Sequence, residues 1–314
     1  MIEDIIIYGL ITSGMYALLA VGFSALYGVT EITNLAHGAL FMLGSYIYFF
    51  FASGYGGIKL DLISALLVSA ALVAIISSIF YRISLDPVIE DPISVMVVTL
   101  SLAIIFQESM VLFFGSGRKV VPSIAENFLK ARGMSDFVTI FGVKTTYSQI
   151  LSSVLSLVLF AGLIIFIEKT RIGGAMKALS QDREVSMLMG INVKNLSMLA
   201  MSLSASFAAV AGVFITSSTG GNVTYPHIWQ HPLFMAFAIV VLGGLGSIKG
   251  ALIGAFIIGF IEKIFTLAVD PFIANLINVP QGATLSGAVI MATMLAVLLF
   301  RPKGLFGKRV ELEE

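Results

Sequence analysis

Apolar residues in this chain neither alternate nor keep to one face of a helix. They run in long, nearly unbroken stretches. A helix that crosses a membrane needs ~20 mostly apolar residues, because it must traverse about 30 Å of hydrocarbon at 1.5 Å per residue. Stretches of that kind occupy roughly 5–27, 35–52, 62–81, 93–114, 148–167, 195–217, 232–247, 250–269 and 285–300. The pattern predicts an all-α polytopic integral membrane protein with about nine transmembrane helices, within a range of eight to ten. The seventh and last stretches are short. The seventh runs into Gly243-Gly244-Leu245-Gly246-Ser247, so it is either a tilted span or a re-entrant element.

Composition agrees with this pattern. Of 314 residues, 58% are hydrophobic and 11% charged, and mean hydropathy is +1.01. An average soluble domain carries about 25% charged residues, and a soluble fold of this length has no way to hide so much apolar surface. Formal net charge is zero, which gives no pull toward nucleic acid. There is no cysteine, which excludes disulfides, thiol catalysis and thiolate metal sites. The N-terminal stretch begins with acids and lacks a basic region, so it reads as the lead-in to a first span.

Lysine and arginine set the predicted orientation. The 168–194 loop carries Lys169, Arg171, Lys177, Arg183 and Lys194, and the 301–314 tail carries Arg301, Lys303, Lys308 and Arg309. The loops at 218–231 and 270–284 carry none. Loop 168–194 and the tail should therefore be cytoplasmic, with Lys249 on the same side and the N-terminus outside. The 115–147 loop is then extracytoplasmic although it holds Arg118, Lys119, Lys130, Arg132 and Lys144; a small helix is expected near 125–134. An internal echo links 37–44 to 249–256. Each segment opens a span running from inside to outside, as a parallel duplication would produce.

The 168–194 loop is the first candidate for function. Ser180 is read as an N-cap, with Asp182 and Glu184 in the first turn beside Arg183 and with Gly190 as the stop, giving a short helix from about 181 to 189. Val185, Leu188 and Met189 share one face, and Ile172, Met176 and Leu179 offer a second apolar edge. Such a helix suits docking into a partner's groove, or resting on lipid headgroups. Glu108, next to Gln107, and Glu262, next to Lys263, are ionisable groups inside spans. They are either functional or polar contacts between helices. Glu262 and Lys263 sit about 100° apart and are not expected to pair along one face. Gly38, Gly44, Gly243, Gly244, Gly246, Gly250 and Gly254 mark close packing or a moving gate. The i,i+4 pair His227 and His231 lies between Pro226 and Pro232 and lacks the glutamate of a zinc protease, so no metal site is assigned. No nucleotide-binding P-loop and no nucleophile elbow occurs, so no catalytic residues are assigned.

Two segments carry a resemblance. They are Tyr27-Gly28-Val29-Thr30-Glu31-Ile32-Thr33-Asn34-Leu35-Ala36-His37-Gly38, continuing to Tyr46, and Val241-Leu242-Gly243-Gly244-Leu245-Gly246-Ser247-Ile248-Lys249-Gly250, continuing to Ala255. Together with 178–192 they resemble the membrane permeases of branched-chain amino acid ABC importers, of the LivH type, over roughly 8–305. The resemblance implies one permease domain over 1–314 with the ABC importer permease fold, in the cell membrane. It implies two ABC ATP-binding subunits, which use ATP and magnesium while this chain holds no cofactor. A second homologous permease, forming a homo- or heterodimer, and an extracytoplasmic solute-binding protein complete the assembly. Loop 171–194 matches the coupling position, and Gly190 matches the glycine of the importer coupling signature. The Glu-Ala-Ala that opens that signature elsewhere is replaced here by Lys177-Ala178-Leu179-Ser180. Related importers for urea or short amides share these segments. A stand-alone secondary transporter or channel is the rival, and Glu108 is its first residue to test.

Overall fold

A computed structural model of the chain describes residues 1–125, 129, 133, 136–218, 223–272, 286–300 and 304–306. Apolar helices occupy all nine predicted stretches. They are α1 (Ile2–Thr30), α2 (His37–Ser53), α3 (Leu62–Phe80), α4 (Pro92–Phe114), α5 (Tyr147–Lys169), α8 (Val193–Ser218), α9 (Gln230–Gly243), α10 (Ile248–Ile264) and α11 (Ser286–Phe300). Two short helices, α6 (Arg171–Leu179) and α7 (Arg183–Leu188), fill the 168–194 loop. Six of the nine are long and apolar enough to cross a membrane; α2, α9 and α11 are shorter. The chain is a polytopic helical membrane protein.

Polar caps fix where the helices start. Asp61 accepts from the Ile63 N–H ahead of α3, and Asp91 accepts from the Ile93 and Ser94 N–H groups ahead of α4, where Pro92 occupies the first turn. The Ser94 hydroxyl also donates to Asp91, and these bonds hold the Asp91 carboxyl below the usual carboxylate range. Thr146 and Gln149 form a reciprocal capping box at the start of α5.

The centre of the bundle is α1. Every residue from Ile11 to Leu26 is buried, which is why this helix shows no polar face in the sequence. It packs against α5, α8, α9 and α10, while α3, α4 and α5 leave apolar faces outward such as Ile63, Leu67, Leu112 and Val158. These outward faces suit lipid rather than water. The close approaches run through small residues. A Cβ on Gly44 of α2 would meet the Ala209 backbone of α8, and one on Gly212 of α8 would meet Phe41 O of α2.

Two elements start inside the bundle. The chain turns back at Glu31 (φ 57), and Ile32, Asn34 and Ala36 are buried before α2 begins. Asn34 Oδ1 accepts from the Ala36 N–H at 3.0 Å, and the Leu35 N–H donates to Thr99 Oγ1 at 3.2 Å. The His37 ring then donates from Nε2 to Leu19 O at 3.0 Å, midway along α1, with Ser204 Oγ of α8 at its other nitrogen. Helix α9 has 14 residues, about 21 Å at 1.5 Å per residue, too short for the hydrocarbon core. Its first turn lies against that of α2, because a Cβ on Gly38 would meet Trp229 O and Leu233 Cβ. So α2 and α9 start beside each other in the interior and run to opposite ends. The seventh stretch is thus a helix about two thirds of the length of a full span. Irregular backbone at that depth is tolerated because protein surrounds it and supplies the hydrogen bonds.

Gln107 locks this junction. Trp229 Nε1 donates to its Oε1 at 2.7 Å, His227 Nδ1 donates to the same oxygen at 3.1 Å, and its own Nε2 donates to Glu108 Oε1 at 2.9 Å. Replacing Gln107 with leucine strands the buried Trp229 N–H, which costs about 1–3 kcal/mol. The expected result is a melting temperature lower by several degrees and a shifted emission from Trp229, the sole tryptophan. Unchanged melting and emission would show that the bonds carry no weight.

The all-α expectation needs one amendment. The 115–147 loop contains a hairpin, β2 (Phe137–Ile140) with β3 (Val143–Thr146), turned by Phe141 and Gly142, both at positive φ. In addition β1 (Lys119–Val120) pairs antiparallel with β4 (Val223–Thr224). Arg118 lies over the Tyr225 ring and Lys119 over the Tyr55 ring, each at 5.7 Å. Two of the lysines and arginines that argue against an outer placement are therefore held on aromatic faces. The helix expected near 125–134 falls largely outside the described residues, as does most of the 301–314 tail.

Candidate functional site: a docking helix at one end of the bundle

Both ends of the bundle are defined by contacts. At one end Gly28 meets Gly246, Lys194 pairs with Asp86 at 3.0 Å, and Gly304 lies against Val241 O and Gly244. At the other, Tyr8 donates to Lys144 O and β1 pairs with β4. The first end carries 168–194, Lys249 and 304–306; the second carries the 115–147 loop.

The loop at the first end is built as a bracket. Thr170 caps α5 and α6 together: its Oγ1 donates to Phe166 O at 2.7 Å and accepts from the Gly173 N–H at 3.0 Å. Gly173 sits on the Ile167 and Phe166 backbone, leaving no room for a Cβ. Met176 (1% exposed) and Leu179 (4%) point into the core. This corrects the sequence expectation that they form an exposed edge. Ile172 alone of those three remains outward, 42% exposed.

Helix α7 is shorter than predicted, and its cap is a different residue. Ser180 closes α6, with its hydroxyl donating to Lys177 O at 2.8 Å. Because α6 continues to Leu179, the extended backbone that a cap requires falls on Asp182, whose Oδ1 accepts from the Val185 N–H at 2.9 Å. Glu184 stands in the first turn. The stop is Gly190 at φ 79, where the Ile191 N–H reaches Ser186 O and the Gly190 N–H reaches Met187 O. That pair of bonds is a Schellman closure and requires the left-handed conformation that glycine adopts at no cost. Between cap and stop, Ser186 is buried, and Val185 (52% exposed), Leu188 (86%) and Met189 (78%) face outward. Val185, Leu188 and Met189 thus form an exposed apolar face at this end of the bundle. Replacing Asp182 with alanine should cost about 1 kcal/mol of local stability. Amide exchange across 185–188 should then quicken about fivefold.

The other candidate residues fall elsewhere. Gly243 and Gly250 abut each other's backbone at the α9–α10 turn, Gly254 abuts Ile239 O, and Gly244 and Gly246 have φ of 105 and 76. With Gly38 and Gly44, these glycines permit close approach or a turn. Glu108 lies about two turns from the end of α4 on the outer surface, and Gln107 makes the inter-helix bonds instead. Glu262 and Lys263 do pair, at 3.4 Å, contrary to expectation, because their flexible side chains bend across the 100° between them. The sequence reading missed the Gln107–Trp229 lock. Its signal was a lone glutamine in an apolar span.

The chain belongs to the family described as the permease component of branched-chain amino acid transport systems, which matches residues 5–298. It is similar to the high-affinity branched-chain amino acid transport system permease protein BraD of Pseudomonas aeruginosa, 30% identical, covering 98% of this chain and 96% of that one. It is also similar to the permease protein LivH of Escherichia coli, 30% identical, covering 98% and 95%. A solved structure, PsaBC from Streptococcus pneumoniae in complex with Fab, aligns with a TM-score of 0.48 at 15% identity over 96% of this chain and 97% of that one.

Proposed function

We propose that this chain is the membrane-spanning permease subunit of an ATP-driven, binding-protein-dependent importer of branched-chain amino acids. The observation that carries the reading is the exposed face of α7, with Val185, Leu188 and Met189 held between the Asp182 cap and the Gly190 stop. In this reading α7 seats in a groove of an ATP-binding subunit, one of two in the assembly. Closure of those subunits on ATP and magnesium moves α7, and α6 passes the motion through the Thr170–Gly173 corner to α5 and the bundle. The end bearing 168–194 faces the cytoplasm, and the N-terminus lies outside. The hairpin end meets the solute-binding protein, and a second permease completes the pathway. Family membership supports the substrate class, since the matched relatives are named for branched-chain amino acids.

The test is reconstitution in liposomes with the ATP-binding subunits and sister permease, with binding protein outside and labelled leucine as substrate. Uptake should require internal ATP, and this chain alone should give none. Leucine flux through the chain alone would instead establish a stand-alone transporter. ATP-driven uptake of urea or acetamide in place of leucine would move the substrate class.

A further inference from the structure

A cavity of about 480 Å³ opens between α1, α5, α6 and α10 at the end that carries α7. Its volume falls in the range of small-molecule sites, about 300–1,000 Å³. Ile164, Ile167 and Met176 supply an apolar wall. Three charged side chains line it as well: Glu168 from α5, Lys177 from α6 and Lys249 from the first turn of α10. None of the three makes an ion pair among the described residues, and all three are exposed at the cavity's mouth. Ser247, also in the lining, caps α10 by accepting from the Gly250 N–H at 3.1 Å. The Ile248 and Lys249 N–H groups, in the first turn, have no acceptor within their own helix.

This combination selects among ligands. A simple anion would suit the lysines and be opposed by Glu168, and a simple cation would meet the reverse. A purely apolar solute would use none of the three charges. A molecule with a carboxylate, an ammonium and a short aliphatic side chain can meet Lys249, Glu168 and the apolar wall at once, with Lys177 left in solvent. We propose that this cavity binds an α-amino acid arriving from the side of the α7 end, and that its occupancy slows transport. The carboxylate lies toward Lys249 and the start of α10, the ammonium toward Glu168, and the aliphatic side chain against Ile164, Ile167 and Met176. The wall includes Ser180 and Gln181, which lead directly into α7. A bound ligand therefore ties the α6–α7 bracket to α1 and α10 and opposes its movement. The choice of amino acid rests on the function proposed above, whereas the charges of both signs and the cavity do not.

The experiment has two arms. In the first, binding of L-leucine is measured on the full chain in nanodiscs of neutral lipid. Saturable binding is expected, weakened about tenfold or more in Glu168→Gln and in Lys249→Gln, since each loses a charge-assisted contact. L-leucinamide, without the carboxylate, and 4-methylpentanoate, without the ammonium, should bind comparably worse. In the second arm, the assembled importer takes up leucine into liposomes preloaded with increasing L-leucine. Preloading should slow uptake, and both variants should need about tenfold more internal leucine, each judged against its own uptake into empty vesicles. No saturable binding, or binding equal in wild type and both variants, overturns the proposal. So does loss of leucine binding as phosphatidylglycerol replaces neutral lipid, which would make the cavity a headgroup site. Absent uptake into empty vesicles counts against the importer reading, whereas normal uptake with no effect of preloading counts against the cavity alone.

Discussion

Replacing Gly44 with leucine is expected to remove the folded protein from the membrane fraction. The Gly44 position faces Ala209 across the α2–α8 contact, and even a methyl group there would lie 2.3 Å from Ala209 Cα and 2.6 Å from its carbonyl oxygen. Both are backbone atoms, so no rotamer change relieves the clash. The reciprocal contact, Gly212 on Phe41 O, blocks a slide of one helix along the other. Overpacking a well-fitted core costs about 1–3 kcal/mol even where side chains give way. Here the backbones must separate, and α2, most of whose length is buried, loses its seat. Gly44→Ala should show an intermediate loss. Gly162→Leu, where a Cβ meets nothing within 4 Å, is the control. The measurement is yield and monodispersity after solubilisation, with a melting curve for whatever survives. Wild-type behaviour of Gly44→Leu would mean that α2 and α8 do not pack as described.

A glutamate at Leu188 is expected to abolish ATP-driven uptake and leave the fold untouched. Leu188 is 86% exposed and makes no part of the core, so the isolated chain should melt as wild type does. In the proposed complex it is buried in a partner's groove. A charge introduced at such an anchor typically costs 2 kcal/mol or more of binding, about thirtyfold in affinity. Uptake should fall below about a tenth of wild type, and co-purification of the ATP-binding subunits should weaken in parallel. The same change at Met189 should act in the same direction. Normal uptake with normal co-purification would sink the docking role of α7. The contrast between these predictions is informative: Gly44→Leu should break the protein and spare the idea of coupling, while Leu188→Glu should do the opposite.

The two predictions also show what the sequence can and cannot convey. Spans are legible because lipid demands long apolar runs, and α3, α4 and α5 announce themselves that way. The bracket at 168–194 was legible through its punctuation, since Asp182 and Gly190 are local signals with local causes. Its cap is ambiguous in the sequence, because Ser180 and Asp182 are both good caps. Only the extent of α6, set by burial of Met176 and Leu179, decides between them. The interior start of α2 was hidden. Nothing in the apolar run that follows Asn34 says that His37 will reach Leu19 O, because that bond joins residues chosen by packing. Helix α1, buried on every side, erases the periodicity that would have shown its neighbours. The hairpin at 137–146 does leave a trace, alternating residues around Phe141-Gly142, but that trace is faint beside the signal of the spans.

Residues 304–306 carry a consequence for the order of events during biosynthesis. The Leu305 N–H donates to Leu242 O at 2.9 Å, and the Phe306 N–H donates to Gly243 O at 3.0 Å. These carbonyls end α9 and have no partner within the helix. A newly made α9 therefore waits, its terminus unsealed, while α10 and α11 are synthesised and inserted. It is sealed only when the segment beyond α11 folds back beneath it. Sealing of this shortened helix is thus among the last steps in making the protein, and a chain released after Phe300 would keep every span and leave the bundle unlatched.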